Sequence, residues 1–309
     1  MKNEKIKSVL EQMDNAIIGQ SEISKFLITA MLAGGHVLLE GVPGVGKTTL
    51  ANVFAKSVDC RFARIQFTPD TMPSDITGTS IYNFENHCFE YIPGVLMNQI
   101  ILADEINRTS PKTQAALLEA MEEGKITVDG KNYLLPQPFI VLATQNPVMQ
   151  RGTYYLPESQ LDRFMMKLNV SYPQEKDELQ IVKNMLSGKM TEKIDCIISS
   201  EEIIKLKEQV NEITVNENLI TYAMECVRAT REHEKVLLGA STRALLVWVK
   251  ASKAYAFVEG REYVNPDDLK KLAPVVLAHR IIMTQSSSEQ ESVAVISEIL
   301  RKVRVPVGK

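Results

Sequence analysis

The sequence has few of the residues that mark several specialised classes of protein. It contains one tryptophan, four histidines and four cysteines among its 309 residues. The cysteines lie far apart, form no CxxC pair and have no histidine at metal-ligand spacing, which argues against a zinc or redox site and a disulfide scaffold. We therefore expect small, buried cysteine side chains in a reducing compartment. These residues are Cys60, Cys88, Cys196 and Cys226.

Long apolar runs and an excess of one charge are also missing. No stretch approaches the ~20 uninterrupted apolar residues that a membrane-spanning helix needs. The first residues mix charged and apolar side chains, unlike a signal peptide. The 35 Lys and Arg nearly balance the 38 Asp and Glu, so the bulk basicity typical of nucleic-acid binding is absent. With 45% hydrophobic residues, the composition predicts a soluble globular protein, which we expect in the cytoplasm.

The first part of the chain alternates short apolar runs with segments of helical periodicity. The predicted strands are HVLLE (36–40), FARIQF (62–67), QIILAD (99–104) and PFIVLATQN (138–146). Such alternation is typical of a parallel sheet covered by helices on both faces. Strand signals largely vanish after YPQEKDELQ, and helical patterns continue. The sequence thus predicts an α/β domain over 1–178 and a helical domain over 179–309.

A phosphate-binding motif stands between the first predicted strand and a predicted helix. GVPGVGKT (41–48) fits the pattern G-x-x-x-x-G-K-[ST] in full, in the strand–loop–helix context that the motif requires. Its glycines let backbone N–H groups point at phosphate oxygens. Lys47 would reach the β- and γ-phosphates, and the Thr48 hydroxyl would ligate Mg²⁺. The expected nucleotide-binding residues of this loop are Gly41, Gly44, Val45, Gly46, Lys47, Thr48 and Thr49.

Polar side chains follow two further predicted strands. Asp104 and Glu105 end QIILADE, and Asn146 ends FIVLATQN. In an ATPase, Asp104 would hold Mg²⁺ through water and Glu105 would polarise the attacking water. Asn146 would bind the γ-phosphate and orient that water, although an asparagine before proline is also a common turn residue. Because the carboxyl ends of parallel strands share one edge, these residues would converge on the phosphate loop.

Two arginines complete the candidate site. Arg163 in LPESQLDRF would act as an arginine finger in the site of a neighbouring subunit, where a planar cation stabilises charge on the transferred phosphoryl group. The alternative is a surface ion pair with Asp162. Arg243 in GASTRALL follows a helix-cap signal and begins a helix of the second domain. A cation is unfavourable there against the helix dipole, and a γ-phosphate partner would offset that cost.

Together these motifs resemble the MoxR-type AAA+ ATPases, and the resemblance spans nearly the whole chain. It rests on six ordered stretches: IIGQ (17–20), GVPGVGKT (41–48), FTPDTMPSDITGT (67–79), LADEINRTSPKTQAALLEAMEE (102–123), ATQNPVMQRGTYYLPESQLDRF (143–164) and GASTRA (239–244). The resemblance implies a P-loop parallel sheet sandwiched by helices, followed by a small all-α lid. It also implies that Asn146 is sensor 1, Arg243 is sensor 2 and Arg163 is the finger acting in trans. The residues expected near the adenine are Ile17, Ile18 and Gly19.

The resemblance further implies an activity and its partners. We expect Mg²⁺-dependent ATP hydrolysis by a ring of identical subunits, hexameric by analogy, which remodels or matures a partner protein. In this family the partner is often a von Willebrand factor A-type protein. Two inserted hairpins are expected, at 73–94 and 124–139, and Asp129-Gly130 supports the second as a tight turn.

Two departures from the family pattern and three other functions remain open. Gly94-Val95 stands where related proteins tend to have Gly-Pro, and Arg151 stands where an acidic residue is common. Arg151 is therefore a second candidate for the trans finger. The other functions are the motor subunit of a metal chelatase, a nucleic-acid motor, which the balanced charge disfavours, and a nucleotide-gated scaffold. Glu105 and Asn146 disfavour the scaffold, since it would have no need of a hydrolytic set.

Overall fold

The computed structural model describes residues 2–42, 44–145, 154, 156–187, 194–284 and 289–306. The chain forms two compact units. The first consists of Met1–Leu27, His36–Leu156 and Leu168–Ile204, and the second consists of Ile28–Gly35, Pro157–Lys167 and Lys205–Lys309. The short segment Pro157–Lys167 therefore belongs to the same unit as the C-terminal helices.

Fifteen α-helices and β-strands precede residue 170 in the described part of the chain. They are α1 (Lys2–Ala16), α2 (Ser21–Ala33), β1 (Val37–Glu40), α3 (Lys47–Ser57), β2 (Phe62–Gln66), α4 (Pro73–Thr77), β3 (Gly78–Asn83), β4 (Cys88–Pro93), β5 (Ile100–Asp104), α5 (Pro111–Glu123), β6 (Lys125–Val128), β7 (Lys131–Leu134), β8 (Ile140–Gln145), α6 (Glu158–Leu161) and β9 (Met166–Asn169). The later elements are α7 (Glu175–Leu186), α8 (Ser200–Glu212), α9 (Glu217–Glu232), β10 (Val236–Leu238), α10 (Thr242–Val258), α11 (Pro266–Leu277), β11 (Ile282–Met283) and α12 (Glu289–Lys302).

The core of the first unit is a five-stranded sheet in the order β2-β5-β8-β1-β9. The pairs β2/β5, β5/β8 and β8/β1 are parallel. Every residue of β1 and β5 is buried, as their nearly continuous apolar sequences require when helices cover both faces of a sheet. The predicted α/β fold is confirmed, with the four predicted strands each starting or ending within two residues of β1, β2, β5 and β8.

Helix α5 is capped at both ends. The Ser110 side chain accepts a hydrogen bond from the Thr113 backbone N–H, and Pro111 occupies the first turn. The helix ends at Gly124, whose φ of 64° is the left-handed conformation typical of a C-terminal glycine. Only six residues, including a short 3-10 turn at Ile106–Arg108, separate the polar end of β5 from α5.

Both expected hairpins are present in the first unit. Strands β3 and β4 pair antiparallel, as do β6 and β7. The second hairpin turns at Asp129-Gly130, where both residues have positive φ. Tyr91 and Tyr133, one from each hairpin, stack with ring centroids 4.1 Å apart. The two hairpins therefore contact each other through this aromatic pair.

The second unit is mainly helical. Trp248 of α10 is fully buried and donates from its indole nitrogen to the Leu269 carbonyl oxygen, 2.9 Å away. The unit also contains a short antiparallel ladder between β10 and β11, which the helical patterns do not predict. Three and two residues are too few to produce a strand periodicity, and the two strands lie more than 40 residues apart in sequence.

The expectation of four buried cysteines is wrong for two of them. Cys226 is buried and Cys60 is half-buried, but Cys88 and Cys196 are exposed. Cys88 belongs to β4, an exposed strand of a hairpin, so its position overrides the usual preference of cysteine for the interior. Within the described ranges, no three His, Cys, Asp or Glu side chains group as metal ligands. None of the described helices is long and apolar enough to cross a membrane.

Candidate active site

The glycine-rich loop joins β1 to α3, and its glycines serve two physical purposes. Gly44 and Gly46 have φ of 88° and 86°, a left-handed conformation that glycine adopts without strain. A Cβ at Gly41 would instead lie 2.4 Å from the carbonyl oxygen of Val170. The first glycine of the motif is therefore required by close packing against the residue that follows β9. The other two shape the loop.

The amino end of α3 is suited to an anion. The helix begins at Lys47, and its N-cap is Gly46, which has no side chain to accept from the first helical N–H groups. The helix dipole adds partial positive charge at this end. Thr48 is half-buried and Thr49 is exposed in the first turn, and Val45 of the loop is buried. This donor set fits a phosphate group.

Lys47 is the charged residue of the loop and faces the carboxylates of the sheet. Its Nζ donates to the carbonyl oxygens of Gly41, at 2.5 Å, and Val42, at 3.4 Å. Burial lowers the pKa of Lys47, and the charges of Asp104, Glu105 and Glu40 oppose that shift. The lysine that would bind phosphate therefore lies within electrostatic reach of both predicted catalytic carboxylates.

Asp104 ends β5 and has a partner on each carboxylate oxygen. The Thr144 hydroxyl donates to Oδ1 at 2.5 Å, and Arg64 Nη2 donates to Oδ2 at 2.7 Å. Thr144 comes from β8 and Arg64 from β2, so the two strands flanking β5 both hold this carboxylate. Carboxylate oxygens are the protein ligands that Mg²⁺ prefers, and the chemistry of Asp104 fits that ion.

Glu105 is held just beyond the strand. Its backbone is left-handed, with φ of 56°, and its N–H donates to the Thr144 hydroxyl at 2.8 Å. Gln66 Nε2 and Arg108 Nη1 each donate to Glu105 Oε2 at 2.8 Å. The carboxylate expected to polarise water is therefore engaged by an amide and a guanidinium.

The sequence analysis does not single out the four residues whose side chains contact these carboxylates, which are Arg64, Gln66, Arg108 and Thr144. A signal exists for two of them, because Arg64 and Gln66 alternate in FARIQF and alternate residues of a strand share a face. Thr144 lies two residues before Asn146. Arg108 lies one turn beyond Glu105, where a cation is an ordinary helix-surface residue.

The turn predicted to contact adenine lies close to the start of the phosphate loop. Ile17 is buried, Ile18 is half-buried and Gly19 is exposed with φ of 81°. The next residue, Gln20, donates from Nε2 to the Ser171 carbonyl oxygen at 3.3 Å. The N–H of the preceding residue, Val170, donates to the backbone carbonyl oxygen of Glu40, at the end of β1, at 2.7 Å. One short segment thus contacts both the turn and β1.

Two predicted residues fall outside the described ranges. Strand β8 ends at Gln145, and Asn146, the proposed sensor 1, lies outside the described residues. Arg151, the alternative finger, also lies outside them. The structure therefore brings together the phosphate loop, Asp104 and Glu105, and it does not test the contribution of Asn146 or Arg151.

The two other predicted arginines belong to the second unit. Arg163 is half-buried just after α6. Arg243 lies in the first turn of α10, which Ser241 caps by accepting from the Ala244 N–H. Arg243 Nε lies 3.7 Å from Asp162 Oδ2, so the residue adjacent to Arg163 in sequence contacts Arg243.

A buried arginine that the sequence-based set omits contacts the same aspartate. Arg280 lies beyond α11, and its Nε donates to Asp162 Oδ1 at 2.6 Å. Burial lowers the pKa of Arg280, and the carboxylate of Asp162 opposes the shift. The sequence offers only a weak signal, an Arg at the end of the apolar run PVVLAHRI.

His279, next to Arg280, lies in surroundings that disfavour its protonated form. Burial first, and then the charge of Arg280, lowers the pKa of His279 well below its ordinary value of 6.5. Its Nδ1 is buried without a hydrogen-bond partner, while Nε2 lies 3.1 Å from the Phe164 carbonyl oxygen. Below pH ~6.5 the unfolded chain therefore binds a proton that the folded chain does not.

We expect this histidine to reduce stability as the pH falls below ~6.5, by up to ~1.4 kcal/mol per pH unit. Urea unfolding at pH 7.5 and 5.5 measures the loss. The free energy of unfolding of His279→Gln should fall less between these two pH values than that of the wild type. His87→Gln, at an exposed position, is the control and should behave like the wild type. Equal losses for the wild type and His279→Gln would contradict the expectation.

Comparison with known proteins agrees with this architecture over the full chain. Residues 36–166 match the family described as "ATPase family associated with various cellular activities", and residues 228–299 match the AAA lid domain. A Bacillus subtilis protein named YeaC is 47% identical over 97% of this chain and 94% of its own length. Chaperone MoxR1 of Mycobacterium tuberculosis is 39% identical over 96% of this chain and 81% of its own length.

A solved structure is also similar. The crystal structure of a Cytophaga hutchinsonii protein that has been assigned as an ATPase superposes with a TM-score of 0.91 at 41% sequence identity. The match covers 99% of this chain and 96% of that protein. The same two-part architecture, a sheet-containing part and a helical lid, is therefore shared with an experimentally determined relative.

Proposed function

Because the chain belongs to the MoxR family of AAA+ ATPases, we propose that it hydrolyses Mg²⁺-ATP between identical subunits in order to remodel a partner protein. One observation carries the catalytic part of this proposal. Lys47 Nζ donates to the carbonyl oxygen of Gly41, the residue that follows β1. Asp104, at the end of β5, accepts from Thr144 of β8, the strand between β1 and β5. A phosphate-binding cation and two carboxylates therefore lie together at the edge of the sheet where ligands of parallel sheets bind.

The proposed nucleotide contacts follow from the donor set of the loop. The uncapped start of α3 and the Lys47 ammonium would bind the β- and γ-phosphates. Thr48 and Asp104 would hold Mg²⁺, which when bound neutralises charge on the phosphate oxygens. Glu105 would orient and polarise the attacking water, and Asn146 would assist it as sensor 1.

The adenine would lie against the turn Ile17–Gly19, which includes Ile18. Support comes from the shared contact of this turn and β1 with residues 170–171. In the proposed organisation, residues 1–178 bind the nucleotide and residues 179–309 form the lid that carries sensor 2, Arg243.

The subunit arrangement is proposed from the chemistry of Arg163. A planar guanidinium is suited to stabilise charge on the transferred phosphoryl group, and a finger supplied in trans requires a neighbouring copy. We expect a hexameric ring, in which each site combines Lys47 and Glu105 of one subunit with Arg163 of the next. A monomer would then be a poor ATPase.

Two observations favour remodelling of a protein over a nucleic-acid motor or the motor subunit of a metal chelatase: the name of a relative and the side chains on the surface. The Mycobacterium tuberculosis relative is named a chaperone. The β3–β4 hairpin carries large exposed apolar side chains, with Phe84 81% and Phe89 69% exposed. Tyr82 packs edge-on against both rings, with centroids 5.2 and 5.3 Å away. Exposed apolar groups of this kind suit a protein partner, which we expect to contain a von Willebrand factor A-type domain.

Replacing Lys47 by Ala tests the nucleotide site. We expect the Kd of a fluorescent ATP analogue to rise at least ~10-fold, since a charge-assisted hydrogen bond contributes ~1.5–3 kcal/mol. Lys56→Ala, on an exposed position of the same helix, is the matched control and should bind like the wild type. Unchanged binding by Lys47→Ala would contradict the assignment of the phosphate loop.

A further inference from the structure

Arg280 is a buried charged group of the second unit that the proposed reaction does not use. It ends the short turn that follows α11, and its side chain is 2% exposed. A buried guanidinium is retained only where its donors are satisfied, because an unpaired buried charge is costly. The partners of Arg280 therefore indicate what it does.

Most of the partners lie on either side of Arg163 in sequence. Arg280 donates to the carboxylate and the carbonyl oxygen of Asp162, at 2.6 and 3.0 Å. It also donates to the carbonyl oxygens of Phe164, at 2.6 Å, and Met165, at 3.2 Å. One side chain thus holds the backbone immediately before and immediately after the proposed finger.

The flanking residues are fixed by packing as well. Phe164 is fully buried and Met165 is 5% exposed, whereas Arg163 between Asp162 and Phe164 is only half-buried. The Arg163 N–H donates to the Gln160 carbonyl oxygen at 3.2 Å, which continues the turn of α6. The backbone at Arg163 is therefore held from both sides, while its side chain reaches the surface.

Asp162 connects this arrangement to Arg243. Its Oδ1 accepts from Arg280, and its Oδ2 lies 3.7 Å from Arg243 Nε. The Asp162 side chain is partly exposed, whereas the Arg280 side chain is enclosed. The proposed finger segment and the proposed sensor 2 are therefore joined through a single carboxylate within one compact unit.

We propose that Arg280 is a positioning residue for the reaction: it fixes the segment around Arg163 so that the finger is presented to the site of the neighbouring subunit. The inference rests on the proposed function, since it takes Arg163 as the finger. A purely structural arginine would stabilise the unit without any effect on the neighbouring site.

Arg280→Gln, in the full chain, tests the proposal through kinetics. A displaced finger should reduce kcat by ~10- to ~100-fold while KM for ATP and the Kd of an ATP analogue stay within about twofold of wild type. Arg280→Lys should recover part of kcat. Arg261→Gln is the matched control, because Arg261 also pairs with a buried carboxylate, that of Asp268, in the same unit. It should leave kcat unchanged.

Co-expression distinguishes a defect in the finger from a defect in the chain's own site. Arg280→Gln chains keep Glu105, so mixed assembly with Glu105→Gln chains should restore turnover by supplying intact fingers. Assembly with Arg163→Ala chains should restore none, since neither chain then presents a finger. Asp162→Asn, which keeps the size of the side chain and the backbone oxygens, should show the same pattern if Arg280→Gln does not fold.

Three results would overturn the proposal in distinguishable ways. Wild-type kcat in both Arg280→Gln and Asp162→Asn would show that Arg280 has only a structural role. Low kcat that Glu105→Gln chains do not restore would place the defect in the chain's own site. Wild-type turnover in Arg163→Ala would show that Arg163 is not the finger, and it would reject the intersubunit part of the proposed function.

Discussion

Glu105→Gln is expected to bind ATP like the wild type and to release phosphate at least ~100-fold more slowly. A positioned general base contributes ~10²–10⁴ in rate, and the amide removes the negative charge that polarises water. The substitution keeps the backbone N–H that donates to Thr144 and replaces only one oxygen of the side chain. Glu105→Gln should therefore keep the structure and the nucleotide affinity of the wild type and lose most of its hydrolysis rate.

Single-turnover phosphate release at saturating nucleotide measures this effect without interference from product release. Glu119→Gln, the same chemical change at an exposed position of α5, is the matched control. Turnover within a few-fold of wild type in Glu105→Gln would reject the assignment of Glu105. It would instead favour a nucleotide-gated scaffold with slow, uncatalysed hydrolysis.

Arg163→Ala is expected to reduce kcat by ~10³-fold or more, the lower limit for an arginine finger in related phosphoryl transfers. ATP binding should change little, because the finger acts mainly on the charge that develops in the transition state. Turnover with Mg²⁺-ATP and the Kd of an ATP analogue, measured on the same preparation, separate these two quantities.

Arg163→Lys and Arg301→Ala are useful companions to that measurement. The lysine keeps the charge but lacks the planar fork, so its kcat should lie between those of the wild type and the alanine variant. Arg301 is exposed near the end of α12, and Arg301→Ala should leave kcat unchanged. If Arg163→Ala retains most of its turnover and Arg151→Ala does not, the finger is Arg151.

Local sequence signals predicted the parts of the molecule that depend on local interactions. The apolar runs of β1 and β5 predicted buried strands, since each is covered on both faces. The Asp129-Gly130 pair predicted the tight turn between β6 and β7. The spacing of GVPGVGKT was sufficient to predict the loop and the helix that follows it.

Contacts between distant residues could not be predicted in the same way. Arg64 and Gln66 reach the carboxylates because β2 pairs with β5, and that pairing follows from strand order, not from local sequence. Arg280 looks like an ordinary cation after an apolar helix, yet it contacts Asp162 from 118 positions away. Exposure of Cys88 likewise depends on the hairpin in which it lies.

A mixture of Arg163→Ala and Glu105→Gln chains, co-expressed and purified together, tests the central claim most directly. Each chain alone should be nearly inactive, but an Arg163→Ala site next to a Glu105→Gln subunit contains both Glu105 and Arg163. We predict turnover well above the sum of the two separate variants, and no such gain when Lys47→Ala replaces Arg163→Ala in the mixture. Turnover equal to that sum would contradict an active site shared between subunits.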